Sequence, residues 1–357
     1  MPLQPRPADS DLLQRPALAA GVFGFSALAA LGLSAVLTLA APGEVHAQTT
    51  PQINPQTTSQ SGGRLRALMA QKQAAAAEAA LPAGVQRIAD VPYGADPAQR
   101  MDVYVPTSPT GSGTGTNSAV ASAVRAPVIF MVHGGGWRHG DKAMGRVVQE
   151  KVNRWVPKGF ILISINYRML PDAPVAVQQR DVQAALLVAQ QRAGTWGADP
   201  SRFILMGHSA GAHLVALLNA RSPQALREGA WPWLGTVALD GAMMNVPARM
   251  RVPHLPLYDD AFGADPAYWV AMSPFHQWTV GAPPMQMVCS TQRPDDPCQQ
   301  FTDMARHVRH LGGRAEVLPQ DLDHGEINAQ LGLDSDYTRA VEAFMGSLDA
   351  EVARRLQ

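Results

Sequence analysis

Residues 203–220 read FILMGHSAGAHLVALLNA, and the fold hangs on how that stretch is parsed. It carries no formal charge, so a membrane span is one parsing. Gly207, His208, Ser209 and Gly211 interrupt it and argue for strand, sharp turn and buried helix. The four apolar residues 203–206 suit a strand covered on both faces, and residues 210–220 suit a helix packed on all sides. Between them, Gly207-His208-Ser209-Ala210-Gly211 has the G-x-S-x-G form. A strained strand-to-helix turn of that kind lifts the serine hydroxyl clear of the sheet, and glycines at both ends admit neighbouring backbone. The following helix N-terminus favours developing negative charge. Ser209 is therefore the candidate nucleophile; the alternative is a glycine-rich turn with an ordinary serine.

Working outward, strand-like runs occupy residues 101–105, 127–132, 160–165, 236–239, 285–290 and 315–318. Helical patterns lie at about 144–157, 176–193, 209–220, 298–311 and 337–355. Their alternation predicts a three-layer α/β domain, its sheet mostly parallel and covered by helices on both faces. Residues 107–125 are low-complexity and read as a surface loop. Residues 242–280 break the alternation with Pro, Met, Trp, His and Tyr. They read as a small lid-like insertion over the strand ends, where a substrate wall would sit. The chain has 357 residues, enough for a large core, and its 29 basic and 29 acidic side chains cancel. That balance argues against nucleic acid or an anionic membrane surface as the main partner.

Two further segments carry chemistry. His133-Gly134-Gly135-Gly136-Trp137 directly follows the strand 127–132. Its bare glycine N–H groups, at Gly135 and Gly136, together with the N–H of Ala210, can hold the oxyanion of a tetrahedral intermediate. A phosphate loop fits poorly, because Gly-x-x-x-x-Gly-Lys is absent. His133 reads as a residue that locks the loop. Asp323-His324-Gly325-Glu326 follows the strand 315–318, and His324 is the candidate general base. Arg293-Pro294-Asp295-Asp296-Pro297 follows the strand 285–290. Asp296 is the favoured partner for His324, giving the chain order Ser209, Asp296, His324; Asp295 and Asp240 stay open as alternatives.

Cys289 and Cys298 are too few for a disulfide scaffold or a cysteine-built metal site, but a bridge between them would fix the aspartate loop. Its alternative is two buried free thiols. His307 and His310 sit among Arg306 and Arg309 and read as a solvated basic face, with no third ligand for a metal. Trp137, Trp231, Trp233, Trp269 and Trp278 could line a pocket or pack in the core.

At the N-terminus, residues 16–43 are uncharged and apolar, ending in Val45-His46-Ala47 before Gln48. Residues 1–47 read as a signal peptide cleaved after Ala47, with an uncleaved membrane anchor as the alternative. Residues 48–63 read as a disordered linker, 64–84 as an Ala-rich helical segment, and 85–357 as the catalytic domain. The expected location is periplasmic or secreted.

These motifs resemble the α/β-hydrolase superfamily, in particular its HGGG-type serine esterases. The resemblance covers roughly residues 85–355 and includes Met101-Asp102-Val103-Tyr104, Asn166-Tyr167-Arg168 and residues 207–214 (GHSAGAHL). It implies hydrolysis of a small carboxylic ester through an acyl-serine, with no cofactor and no metal. His208 and the Gly211-Ala212 pair depart from the pattern of hormone-sensitive-lipase-like members. GHSAGAHL is closer to bacterial feruloyl-esterase-like enzymes and kynurenine formamidases, so an arylformamidase-type activity and a non-catalytic binding member stand as alternatives.

Overall fold

The computed structural model describes residues 81–107 and 125–357, together with Lys72. The signal and linker segments, most of 64–84 and most of the loop 107–125 fall outside the described residues. Among the described residues, the strands are β1 (Val85–Pro92), β2 (Arg100–Pro106), β3 (Ala126–Val132), β4 (Ile161–Ile165), β5 (Ala198–His208), β6 (Gly235–Leu239), β7 (Met285–Ser290) and β8 (Ala315–Gln320). They form one sheet in the order β1-β2-β4-β3-β5-β6-β7-β8. β1 and β2 pair antiparallel, as do β2 and β4. From β4 to β8 every pairing is parallel.

The helices are α1 (Gly145–Trp155), α2 (Val175–Arg192), α3 (Ala210–Ala220), α4 (Ser222–Arg227), α5 (Val246–Met250), α6 (Pro256–Phe262), α7 (Pro266–Ala271), α8 (Pro274–Gln277), α9 (Pro297–His310), α10 (His324–Ala329), α11 (Asp336–Gly346) and α12 (Ala350–Leu356). The central strand β3 is buried at every residue. Its side chains alternate between two cores. Val128, Phe130 and Val132 join a cluster with Val182 and Leu186 of α2 and Leu214 and Leu218 of α3. Ile129 and Met131 join Val147, Val152 and Trp155 of α1 and Val341 and Phe344 of α11. A third cluster packs Phe301, Met304 and Val308 of α9 against Met287 and Cys289 of β7. This is the three-layer arrangement that the sequence predicts.

α3 is buried along all eleven residues, which accounts for its lack of charge. Its start sits tight against β3. A Cβ on Gly211 would lie 2.2 Å from the Val132 carbonyl oxygen, so only glycine permits this approach. Among the described residues no helix is long and apolar enough to cross a membrane.

Two features differ from the sequence reading. β1 was not expected, because it is a half-wet edge strand with a polar sequence and a register shift between Ile88 and Val91. It is held by a buried cluster in which Arg87 (2.7 Å) and Lys142 (3.0 Å) both pair with Asp102. The helix expected over 337–355 is two helices, because Asp349 caps a new start by accepting from the N–H groups of Glu351 and Val352. The insertion folds as the short helices α5 to α8, three of them with Asn, Asp or Ser at the N-cap and all four with proline in the first turn.

Cys289 and Cys298 form a disulfide, with Cα atoms 5.2 Å apart. It ties the end of β7 to the start of α9. Closing so short a loop stabilises the fold by about 2–3 kcal/mol in the chain-entropy account.

Candidate active site

Ser209 lies at the N-cap of α3 with φ 56° and ψ −117°. A non-glycine residue in that region costs about 1–3 kcal/mol and persists only where its surroundings fix it. Here the Ser209 N–H donates to the Leu239 carbonyl at the end of β6 (2.9 Å), and its own carbonyl accepts from the His213 N–H. The result presents Oγ at the carboxyl ends of the parallel strands, 3.0 Å from Nε2 of His324.

His324 is the first residue of α10. Asp323 caps this helix by accepting from the Glu326 N–H (2.7 Å), and Glu326 accepts in return from the Asp323 N–H (2.9 Å). That reciprocal pair fixes the helix start and with it the histidine. At the far end of α10, the buried Lys151 of α1 donates to the backbone (2.6 Å) and side-chain (3.0 Å) oxygens of Asn328. His208 contributes a third hold. Its Nε2–H donates to the His324 carbonyl at 2.8 Å, which fixes the His208 tautomer.

The carboxylate beside His324 is Asp240, not Asp296. Asp240 Oδ2 lies 2.5 Å from His324 Nδ1. It follows β6 directly, and its side chain is fully buried. Its Oδ1 accepts from the Ser290 N–H (2.8 Å), and Arg293 Nη1 donates to its Oδ2 (2.8 Å) and to its backbone oxygen (3.0 Å). Burial works against the Asp240 charge, but the hydrogen bond with His324 and the Arg293 cation outweigh it and hold the carboxyl below its ordinary range. Asp296 instead takes the N-cap of α9, where its carboxylate accepts from the Gln299 N–H at 3.0 Å. An Asp before a proline at a helix start is claimed by the orphan N–H groups of that helix. Asp295 is spent on Arg293, through two hydrogen bonds of 2.9 and 2.7 Å.

The sequence reading gave Arg293 no role. Only the fold brings the loop after β7 back onto the end of β6, so no local pattern signals it. Asp240 did carry a local signal, an acid directly after a strand run and before Gly241.

The loop 133–137 faces Ser209. A Cβ on Gly134 would meet the His208 carbonyl oxygen at 2.7 Å and Ser209 Cβ at 2.8 Å, so the loop lies against the serine. His133 locks it, as expected: its Nδ1 bonds to the Gly134 carbonyl (2.8 Å), its ring stacks on Tyr167, and the Tyr167 hydroxyl donates to its backbone oxygen (2.9 Å). The Gly135 carbonyl accepts from the N–H groups of Arg138 and His139, which turns the loop inward. Gly135, Gly136 and Ala210 all line a cleft of about 840 Å³ together with Ser209 and His324. The Ala210 N–H, at the first helical position, is one of the donors an α-helix leaves without an internal partner. Of the five tryptophans considered, only Trp137 lines this cleft; Trp233 and Trp278 are buried elsewhere and Trp231 is half exposed.

Three histidines around the site are buried. Burial, aided by the neighbouring His324, pushes His208 down to about 3. Burial, with a smaller push from the Arg221 cation, lowers His213 to about 4, against a hydrogen bond with the Met272 carbonyl. Burial also lowers His133.

A family model described as BD-FAE matches residues 118–234, about a third of the chain. The match spans the loop 133–137 and Ser209 but ends before Asp240 and His324. Esterase LipC of Mycobacterium tuberculosis is 34% identical over 139 residues, 37% of this chain and 30% of LipC. Esterase LipQ of the same organism is 28% identical over 256 residues, 66% of this chain and 59% of LipQ. The chain thus spans less than two thirds of the length of either relative. Among solved structures, a truncated carbohydrate esterase from gut microbiota superposes with a TM-score of 0.60 at 17% identity, over 75% of this chain and 96% of that one. The chain has the α/β-hydrolase fold, and part of its sequence is similar to the esterases LipC and LipQ.

Two outcomes are expected. Asp240→Asn should lower kcat by about 10⁴-fold by disturbing the His324 tautomer. Asp296→Ala should keep kcat within about twofold and lose about 1 kcal/mol of stability with the α9 cap; equal losses of activity would reverse the assignment. For pH, the depressed histidines stay neutral in the folded chain while the unfolded chain binds protons below about pH 6.5. Stability should therefore fall from pH 7 to pH 4, with His208 and His213 each contributing up to about 1.4 kcal/mol per pH unit. The Asp240 contribution is lost only at lower pH, as its depressed pKa is passed. Urea unfolding at stepped pH reads this slope, and a flat profile over that window would contradict it.

Proposed function

We propose that the chain is an exported serine hydrolase that cleaves carboxylic esters, short acyl or aryl ones, through an acyl-serine intermediate. The observation that carries this reading is the hydrogen-bonded run from Ser209 Oγ through His324 to the buried Asp240 carboxylate. In this scheme Ser209 Oγ attacks the acyl carbon while His324 Nε2 takes its proton. Asp240 balances the imidazolium that forms. The N–H groups of Gly135, Gly136 and Ala210 receive the oxyanion, and each such donor is worth about 3–4 kcal/mol of barrier. His324 then protonates the leaving alcohol, and water repeats the sequence on the acyl-serine.

Export to the periplasm or medium is the second part of the proposal. The uncharged run before Ala47 supports it, and the Cys289–Cys298 disulfide suits an oxidising compartment. The mature protein should begin at Gln48, read by N-terminal sequencing. A membrane-bound chain starting at Met1 would point to an anchor instead.

Hydrolysis of p-nitrophenyl esters from acetate to palmitate tests the reaction. Turnover should peak at a short acyl chain and fall by on the order of 10⁴-fold or more in Ser209→Ala. Turnover of aryl formamides with none of the esters would move the reading to an arylformamidase.

A further inference from the structure

Arg249 lies on α5, in the insertion, and lines the catalytic cleft beside Asp240, Tyr258 and His254. Its Nε is buried and has no hydrogen-bond partner. Among the described residues the guanidinium has neither a side-chain hydrogen bond nor an ion pair. The nearby carboxylates are already committed. Asp240 and Asp295 are held by Arg293, Asp259 bonds to His254 at 3.1 Å, and Asp260 pairs with Arg138 at 2.9 Å. The Arg249 charge is felt at both Tyr258 and His254 and is answered by none of these acids. Arg146 of α1 lines the same cleft, exposed and likewise without an acid partner among the described residues.

A buried N–H with no acceptor is costly and asks for an explanation. A guanidinium presents donors in a planar fork that matches a carboxylate. Leu255 and Leu257 line the same cleft and would take the organic part of a ligand, while two unanswered cations attract its charge.

We propose that the cleft selects esters bearing a free carboxylate, and that Arg249 is the residue that binds it. This rests on the serine-hydrolase reading of the same cleft. Arg249 touches the substrate away from the reacting carbonyl, so it sets specificity and leaves the chemistry to Ser209 and His324.

The test compares 4-acetoxybenzoate with 4-methylphenyl acetate, where a methyl group replaces the carboxylate. Phenyl hydrogen adipate and phenyl hexanoate make the same comparison on the acyl side. In the parent, kcat/KM should favour the carboxylate member of at least one pair at low salt. Arg249→Gln should lower that preference at least tenfold, chiefly through KM, and Arg249→Lys should retain part of it. An unchanged ratio in Arg249→Gln, or no preference in the parent, overturns the proposal. Titration of Ser209→Ala with 4-acetoxybenzoate and with phenyl hydrogen adipate, with and without Arg249→Gln, separates this site from the reaction. A Kd weakened at least tenfold by Arg249→Gln supports the anion site even if the parent hydrolyses no ester, in which case only the hydrolase reading falls. An equal Kd in the two proteins overturns the anion site whatever the turnover.

Discussion

The backbone at Ser209 is the constraint on which the rest of the site depends. Its conformation is unfavourable for a serine and cannot hold itself. It is fixed from three sides: by the bond to the end of β6, by the first turn of α3, and by the contact of Gly211 with β3. The helix that provides one of these holds is fully buried, so the turn cannot relax without opening both the sheet and the core above it. The two cores are thus the source of the serine's rigidity as well as of the fold's stability.

Much of this was legible in the sequence because it is local. The strand before Ser209, the helix after it, the glycine loop after β3 and the histidine after β8 each announce themselves within a few residues. The acid does not. β6 and β7 are adjacent, so the loops after both emerge beside His324, and chain order alone does not say which loop reaches it. Asp296 looked suitable because it closes a loop. The same Asp-Pro pair is also a helix-start signal, and that local demand won. β1 stayed hidden for the opposite reason. Its polar residues serve an edge and a buried ion cluster, which leave no hydrophobic period to detect.

Arg293 shows what only tertiary structure supplies. It stands between two carboxylates, one in the hydrogen-bonded run from Ser209 and one two residues along its own loop. Asp295 orients the guanidinium, the guanidinium orients Asp240, and the disulfide closes the loop that carries both. The Arg293 cation beside Asp240 also helps to keep that buried carboxyl ionised.

The alternation along β3 has a consequence for how the protein tolerates change. Phe130 and Met131 are consecutive in the chain, yet they face different cores and share no packing cluster. Truncations at these neighbours leave voids in separate compartments, so their destabilisations should add rather than compound. Phe130 and Leu214, far apart in sequence, border the same compartment and are where compensation by repacking is available. Sequence proximity is thus a poor guide to epistasis in this sheet; the face a residue points to is the better one.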